Sequence, residues 1–395
     1  MSLIGQPVTI IGAGVAGLAA ARALALRGAQ VTVLEQADAI REVGAGLQIS
    51  PNGACVLRAL GLQAALDAAS MRAEAVQLID GPTGDPVTRL DLARLRPDQG
   101  YHFLHRADLI QLLLQGATEA GVTLRLLSRV AAVDLSGPHP AVTLETGERI
   151  ETPLLVGADG LHSRTRKALN GAEQPFFTHQ VAWRAVIPCE PGAAPVAEVH
   201  MGPGRHLVSY PLRSGTLRNI VAVEERAKWA EESWTLRDDS MDLRLAFEGF
   251  SPRVRSWLDR VEDPWLWGLF RHTVAQTWTK QMGQGGVALL GDAAHPTLPF
   301  LAQGASMGLE DAWLLAQAFA THDTAAAACA AYQSLRKPRT SRIVAAATAN
   351  ARAYHLSGLP RMLGHAGLRV LGRVSPGSML SRFDWLYGHD VTQIS

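Results

Sequence analysis

The chain has few cysteines, no imbalance of charge and no long apolar run, and each lack removes a class of function. Its 395 residues hold three cysteines. Cys55, Cys189 and Cys329 stand far apart and fit no metal-ligand or redox spacing, so no metal site is expected. A reducing cytoplasm is the simplest home for such a chain. Lys and Arg total 37 against 36 for Asp and Glu, a formal net charge of +1. That gives no electrostatic reason to expect nucleic acid or an anionic membrane as a partner. No apolar run approaches the roughly 18–20 residues that span a bilayer. The N-terminus lacks a basic segment and turns straight into a glycine-rich loop, which speaks against a signal peptide. Repeats are absent, and the alanine cluster Ala325–Ala328 sits in an expected helix. What remains is 47% hydrophobic and 18% charged, the profile of a globular protein with a large core. The length predicts two or three domains of roughly 150 residues each.

The first motif lies at the start. Val8–Ile11 reads as a short strand, followed by Gly12-Ala13-Gly14-Val15-Ala16-Gly17, a GxGxxG. A helix follows, with Val15, Leu18, Ala19, Ala23 and Leu26 on one face and Gly28 as its stop. Val31–Leu34 is a second strand, with Glu35 and Gln36 at its end. Strand, glycines, helix, strand and acid in this order predict a dinucleotide site. The glycines allow a tight turn, the helix N-terminus holds the pyrophosphate and Glu35 takes ribose hydroxyls. The motif alone does not separate FAD from NAD.

The second motif is Gly291–Asp311, GDAAHPTLPFLAQGASMGLED. Val287–Leu290 reads as a buried strand running into it. Asp292 sits at the strand end, Pro296 and Pro299 stiffen the loop, and Gly304 opens a helix with Leu309, Ala312, Trp313, Ala316 and Ala320 on one face. The N–H groups near Gly304 and Ala305 suit an anion or an electron-rich ring. Between the two motifs, Leu154–Gly157 is a strand ending in Asp159-Gly160, followed by Ser163 and Arg166.

These motifs, in this order, resemble those of the single-component flavin-dependent aromatic hydroxylases, the family that includes salicylate and 3-hydroxybenzoate hydroxylases. The resemblance runs from the N-terminus to about residue 311. It implies an α/β fold: a dinucleotide-binding, GR2-type Rossmann FAD domain (residues 1–175 and 281–330), an inserted antiparallel β-sheet substrate domain (176–280) and a C-terminal helical region (331–395). It also implies that Asp292 bonds the ribityl or ribose region of FAD and that Pro299 lies along the flavin ring. Arg106 matches the family arginine near the pyrophosphate, Val130 is expected near the adenine, and Asp159 lies where FAD and the nicotinamide donor must both reach.

The residues from about Phe176 to Thr279 carry the expected insertion. Val181–Pro188, Ala197–Met201, His206–Leu212 and Arg218–Val223 are short segments rich in β-formers. A helical piece is expected around Asp242–Leu258, and a strand near Trp267–Val274. In His206-Leu207-Val208-Ser209-Tyr210-Pro211, period two puts His206, Val208 and Tyr210 on one face. His206 and Tyr210 are expected roughly 7 Å apart, close enough to share one small ligand or bridging water. The phrase H-x-x-x-Y-P-L-R with Asn219 resembles the family's substrate-facing strand, where a His and a Tyr contact the substrate hydroxyl. Gln48, Arg184 and His295 are weaker candidates, and Arg213 is off phase and read as structural. Arg41–Gly53 is expected to be a glycine-rich loop beside the flavin. Pro338, Pro360 and Pro376 are expected to break the C-terminal helices. Arg336, Lys337, Arg339 and Arg342 are read as a solvated helix face. The apolar tail Leu359–Leu386 either packs on the core or forms a homodimer surface.

The chemistry the resemblance implies is FAD-dependent monooxygenation. NAD(P)H reduces the flavin, O2 adds to it as a C4a-hydroperoxide, and a small phenolic aromatic acid receives the OH. A phenol has a pKa near 10, so a base poised near neutrality is useful, and histidine has that range. Two other readings stand beside this one: a hydroxylase or epoxidase of a larger quinolone, polyketide or isoprenoid, and a flavoprotein reductase.

Overall fold

The computed structural model describes residues 2–40, 45–226 and 236–394. Among these, the strands form four sheets. The first is built around Pro7–Ile11, flanked by Leu154–Gly157 on one side and Gln30–Leu34 on the other. Gly285–Leu289 extends it in parallel beyond Leu154–Gly157, and Thr123–Arg125 extends it beyond Gln30–Leu34. Thr279–Met282 closes one edge antiparallel. Leu154–Gly157 and Gly285–Leu289 are buried at every position. That is why they read as unbroken apolar runs, for a parallel strand is covered on both faces. The helices Val15–Ala25 and Gly304–Thr321 lie against each other in the core over this sheet.

A seven-stranded sheet makes the second half. Phe176–Pro188, Val196–Gly202, Arg205–Leu212, Leu217–Glu225 and Trp265–Arg271 supply five strands. The other two, Ala75–Asp80 and Pro86–Asp91, come from early in the chain, and Ala75–Asp80 joins Val196–Gly202 in parallel. The five strands of the insertion pair antiparallel with one another, as expected, and the parallel pairing is the one to Ala75–Asp80. Period two sorts its residues cleanly. Val181, Trp183, Ala185, Leu207, Ile220 and Ala222 point outward into a core with Leu243, Phe247, Val254 and Trp257. Ala182, Arg184, His206, Val208, Tyr210, Val221 and Val223 point the other way, into a cavity.

Several expectations are corrected. Within Arg41–Gly53, Gly46–Ile49 is a strand paired with His102–His105, and Pro51 opens the helix Pro51–Ala59; Arg41–Gly44 lie outside the described residues. Proline at the first helical turn costs no hydrogen bond, so it starts the helix instead of marking a loop. The piece at Asp242–Leu258 is two helices, Ser240–Ala246 and Pro252–Leu258. Pro338 breaks nothing: Ala325–Tyr354 runs through it as one helix. Arg336 and Arg339 pin both sides of Pro338 to buried carboxylates, and that anchoring outweighs one missing backbone hydrogen bond. Pro360 and Pro376 lie in the first turns of Gly358–Val374 and Pro376–Ser381. The tail does pack on the core, through Met379, Leu380 and Leu386, while Leu359, Met362, Leu363, Val370 and Val374 stay exposed.

The basic cluster is the largest correction. Arg336 is fully buried, its Nη1 2.5 Å from Glu310 and its Nε 2.7 Å from Asp311. Arg339 reaches Glu310 at 2.8 Å. Charge spacing alone cannot separate a solvated face from one that meets two carboxylates on the neighbouring helix. Lys337 and Arg342 do face outward, Lys337 onto the Gln276 carbonyl and Arg342 over the Trp385 ring.

Candidate active site

The two sheets enclose a cavity of about 700 Å³ that runs from the GxGxxG turn to the inner face of the seven-stranded sheet. Each glycine of the motif has a distinct steric reason. Gly12 has φ +99°, and a Cβ there would lie 2.5 Å from the Ala158 carbonyl oxygen. At Gly17 a Cβ would lie 2.0 Å from the Gly12 carbonyl oxygen, so strand and helix could not close. Gly14 has nothing within 4 Å of its missing Cβ and lines the cavity. One glycine makes the turn, one packs, and one leaves its backbone open to a ligand. Ala16 lines the cavity too, and its Cβ meets the glycines of the second motif, Gly291 and Gly308, closely enough that neither tolerates a side chain easily. Glu35 holds this turn from below, its Oε2 accepting from the Ala13 N–H and its Oε1 from the Ala37 N–H, both at 2.9 Å. Gln36 beside it is exposed.

A second helix N-terminus meets the first across the cavity. Ala302 takes a left-handed turn (φ 52°), Gln303 caps, and Gly304–Thr321 begins with Gly304 and Ala305 on the cavity wall. Both helices direct unsatisfied N–H groups and a partial positive charge into the same space. Asp292, Pro296 and Pro299 line the cavity beside them, as does Arg106 at the start of Arg106–Glu119. An elongated ligand with a negative centre and a flat, electron-rich ring fits these walls, and FAD is such a ligand. Asp159 is half-buried, and its carboxylate accepts from Ser163 Oγ (2.6 Å) and the Thr165 N–H (3.1 Å). Burial pushes its pKa up. Its neighbours Ala158 and Gly160 line the cavity. Val130 is buried in a separate small core with Leu34, Val142 and Leu155.

The second motif is braced by the buried charges. Asp311 accepts from the Gly291 N–H (2.9 Å), from His295 Nε2 (2.5 Å) and from Arg336. Glu310 accepts from Asn52 Nδ2 (2.7 Å) and from both arginines. Burial alone would raise both carboxyls. Arg336 and Arg339 beside Glu310, and His295 and Arg336 beside Asp311, outweigh it and hold both low, Asp311 at about 2. His295 is therefore a brace for the loop.

The opposite wall carries the row His206, Val208, Tyr210. The expected 7 Å between His206 and Tyr210 is wrong. They are four residues apart, and at about 3.3 Å per residue a strand separates them by about 13 Å. Their surroundings differ accordingly. His206 packs on Phe300, Tyr354 and His355, whereas Tyr210 packs on Phe103, with its hydroxyl beside Gln48. They flank one cavity and cannot share one bridging water. Burial pushes the Tyr210 phenol well up, so it stays protonated and can donate. Burial, then the neighbouring His355, pushes His206 well below the ordinary histidine range.

Arg184 precedes both in the sequence and lies beside Tyr210 in the fold. Its guanidinium stacks on Trp267 at 4.4 Å and donates to the Gly46 carbonyl at 2.6 Å. Burial draws its pKa down to about 10, still cationic at neutral pH. Among the described residues no carboxylate acts on it, and its Nε is buried without a partner. The Gly46 N–H donates to Asn219 Oδ1 (2.8 Å), so Arg184 and Asn219 together fasten the strand that carries Gln48. Gln48 Oε1 accepts from Tyr101 at 2.6 Å. Arg213 turns away to pair with Asp108 at 2.8 Å.

Some cavity residues carried no signal in the sequence. Tyr101 precedes a strand that was not predicted. Tyr354, Leu368, Met379 and Leu380 reach the cavity from the C-terminal helices, where they read as ordinary core positions.

The chain matches the family described as FAD binding domain over residues 6–347. It is 31% identical to a 3-amino-4-hydroxybenzoate 2-monooxygenase of Streptomyces platensis, covering 98% of this chain and 97% of that one. It is 33% identical to a 3-hydroxybenzoate 6-hydroxylase of Klebsiella oxytoca, covering 96% of each. Its fold is shared with Klebsiella pneumoniae HpxO, solved with FAD and uric acid, at a TM-score of 0.81, 24% identity and 95% of each chain covered.

Proposed function

The chain belongs to the FAD-binding-domain family and is an FAD-dependent monooxygenase, and from that premise we propose that it hydroxylates a small phenolic acid with His206 as the base. The observation that carries this reading is one cavity wall holding three complementary groups: an imidazole, a protonated phenol and a buried cation with no carboxylate partner among the described residues. An aromatic acid offers a hydroxyl to the first and a carboxylate to the last. FAD, when bound, supplies the oxygen-activating chemistry, with electrons from NAD(P)H and oxygen from O2.

The residues that hold FAD in this reading are Gly14 and Ala16 at the first helix N-terminus, Asp292 and Pro299 on the loop, and Gly304 and Ala305 at the second N-terminus. Arg106 lies toward the pyrophosphate. Glu35 and Asp159 act mainly by fixing the turns from which the backbone N–H groups point. Gln36 and Val130 keep only the role the family resemblance gives them, at the ribose and adenine ends.

On the substrate side, His206 takes the proton of the ring hydroxyl, which turns the ring into a better nucleophile. Tyr210 and Gln48 hold an oxygen at the other end of the wall. Arg184 takes the carboxylate, where a buried, charge-assisted pair is stronger than a neutral hydrogen bond. The apolar sheet face and Phe300 keep water from the reacting ring.

A larger substrate is favoured by one observation. The cavity continues between the sheet and the C-terminal helices along an apolar stretch of Val199, Met201, Leu368, Met379 and Leu380. The test is NADH and NADPH oxidation and O2 uptake by the FAD-loaded enzyme against hydroxybenzoates, salicylate and hydroxyquinolines, with the product weighed. A gain of one oxygen on a phenolic acid supports the first reading. A response only to the bicyclic compounds moves the substrate into the apolar extension. Oxidation without substrate-linked O2 uptake leaves a reductase.

A further inference from the structure

His206 does not stand alone. Its Nδ1 lies 2.7 Å from His355 Nε2, and His355 Nδ1 lies 2.8 Å from Glu225 Oε1. His206 and His355 are buried, while the Glu225 side chain is 52% exposed. The three groups come from three elements. His206 is on Arg205–Leu212, Glu225 ends Leu217–Glu225, and His355 caps the helix Ala325–Tyr354. The backbone ties them at one point: the Gly204 N–H donates to the His355 carbonyl, and the Glu225 N–H donates to the Gly204 carbonyl.

Donor and acceptor roles follow from the outer end. A carboxylate only accepts, so the proton between Glu225 and His355 sits on His355 Nδ1. A neutral imidazole carries one N–H, so His355 Nε2 is an acceptor. His206 Nδ1 must then be the donor, which leaves His206 Nε2 with a free lone pair. His206 lines the cavity, and Nδ1 is its bonded atom among the described residues. The chain therefore presents a base to the cavity and ends at solvent.

We propose that His355 and Glu225 fix His206 as this tautomer and carry the proton of the substrate hydroxyl between His206 and solvent. The proposal rests on the reading of His206 as the base. The steps balance as proton shifts. The O–H bond of the substrate breaks as its proton joins His206 Nε2. The Nδ1 proton of His206 passes to His355 Nε2, and the Nδ1 proton of His355 passes to Glu225 and leaves to water. When the product hydroxyl is reprotonated the same shifts run inward and restore each tautomer. Burial makes His206 a poor place to store a proton, so a base in this position works by passing the proton on. Among the described residues the other charge acting on His355 is Arg205, which is held by Glu224. Tyr354 packs on the His206 ring, with its hydroxyl accepting from Asn350.

Two measurements test this on FAD-loaded enzyme. The first is long-range proton–nitrogen NMR on histidine-labelled protein near neutral pH, with no substrate. Both rings are expected as Nδ1–H tautomers, and a proton on Nε2 of His206 overturns the wiring. The second is stopped-flow mixing with 3-hydroxybenzoate as the probe, following phenolate absorbance and proton release to a dye. His355→Gln keeps a hydrogen-bonding side chain but cannot relay a proton. It is expected to bind the probe as wild type does and to slow both signals by roughly tenfold or more. Glu225→Gln, at the exposed end, is expected to slow them severalfold and serves if the buried variant does not fold. Wild-type rates in the folded variants overturn the relay while leaving the base reading intact. If His206→Asn also keeps wild-type rates, or if wild type forms no phenolate, the base reading falls, and the tautomer measurement alone judges the wiring.

Discussion

Two buried polar regions flank the loop 291–303, and they follow opposite rules. Behind the loop, Glu310, Asp311, Arg336, Arg339, Asn52 and His295 satisfy one another, with His295 Nδ1 the atom left over. In front of it, on the cavity wall, Arg184 Nε is buried without a partner and His206 bonds through Nδ1. Both regions cost desolvation. The first recovers that cost inside the fold, so its product is a rigid loop. The second recovers it only when something else binds. Polar burial by itself does not mark a site; unspent hydrogen-bonding capacity facing a cavity does.

The sharpest way to break this contrast is at Arg336. Replacing it with methionine leaves Glu310 and Asp311 buried, each with two of its three partners and with one cation fewer between them. A loss of about 3–5 kcal/mol of stability is expected, with poor FAD retention, because an uncompensated buried charge is left behind. Thermal denaturation with flavin fluorescence reads both. A variant with wild-type melting and only lost turnover would make the rear cluster part of the chemistry.

His206→Asn should do the reverse. Turnover at saturating substrate is expected to fall by about 10²–10³-fold, while melting temperature and flavin spectrum stay close to wild type. A large drop in stability would move His206 to the structural side.

Arg184→Gln is expected to weaken binding of a carboxylate-bearing substrate roughly ten- to hundredfold, the loss of one charge-assisted interaction. The difference should vanish for the matching carboxamide. Titration calorimetry of both ligands on both proteins settles whether the unpaired cation is an anion site.

The smallest effect shows only in acid. Asp311 in the folded protein titrates at about 2, below its ordinary value of 3.8. Its contribution is therefore fully present above about pH 4 and is lost as pH falls through about 2. Asp311→Asn should flatten the stability profile across that window. An unchanged slope would mean that the rear cluster does not rely on this charge.

Much of this was legible in the chain. Gly12, Gly14 and Gly17 carry their roles in their spacing, because turn, approach and packing are local demands. The row His206, Val208, Tyr210 was legible as one face, because alternation is a property of any strand. Its ends lie about 13 Å apart and not roughly 7 Å, because His206 and Tyr210 are four positions apart and not two. The basic run at 336–342 was misread because its meaning depends on Glu310 and Asp311 one helix away. Ala75–Asp80 and Pro86–Asp91 carry no sequence sign of belonging to the seven-stranded sheet, since only tertiary pairing with Val196–Gly202 gives them a place. His355 had no signal at all: its partners are 149 and 130 residues distant.

The order of strands in the first sheet has a consequence for biosynthesis. Pro7–Ile11 lies next to Leu154–Gly157, which lies next to Gly285–Leu289. A chain leaving the ribosome cannot complete that sheet until its third segment is made, nearly three-quarters of the way along. The seven-stranded sheet, whose last strand ends at Arg271, can assemble earlier. Domains generally fold as units during synthesis, and late pairing of distant segments is slow. Every strand of the seven-stranded sheet has therefore been synthesised before the last parallel strand of the nucleotide sheet. No cut between residues 12 and 284 yields a fragment with the nucleotide sheet whole.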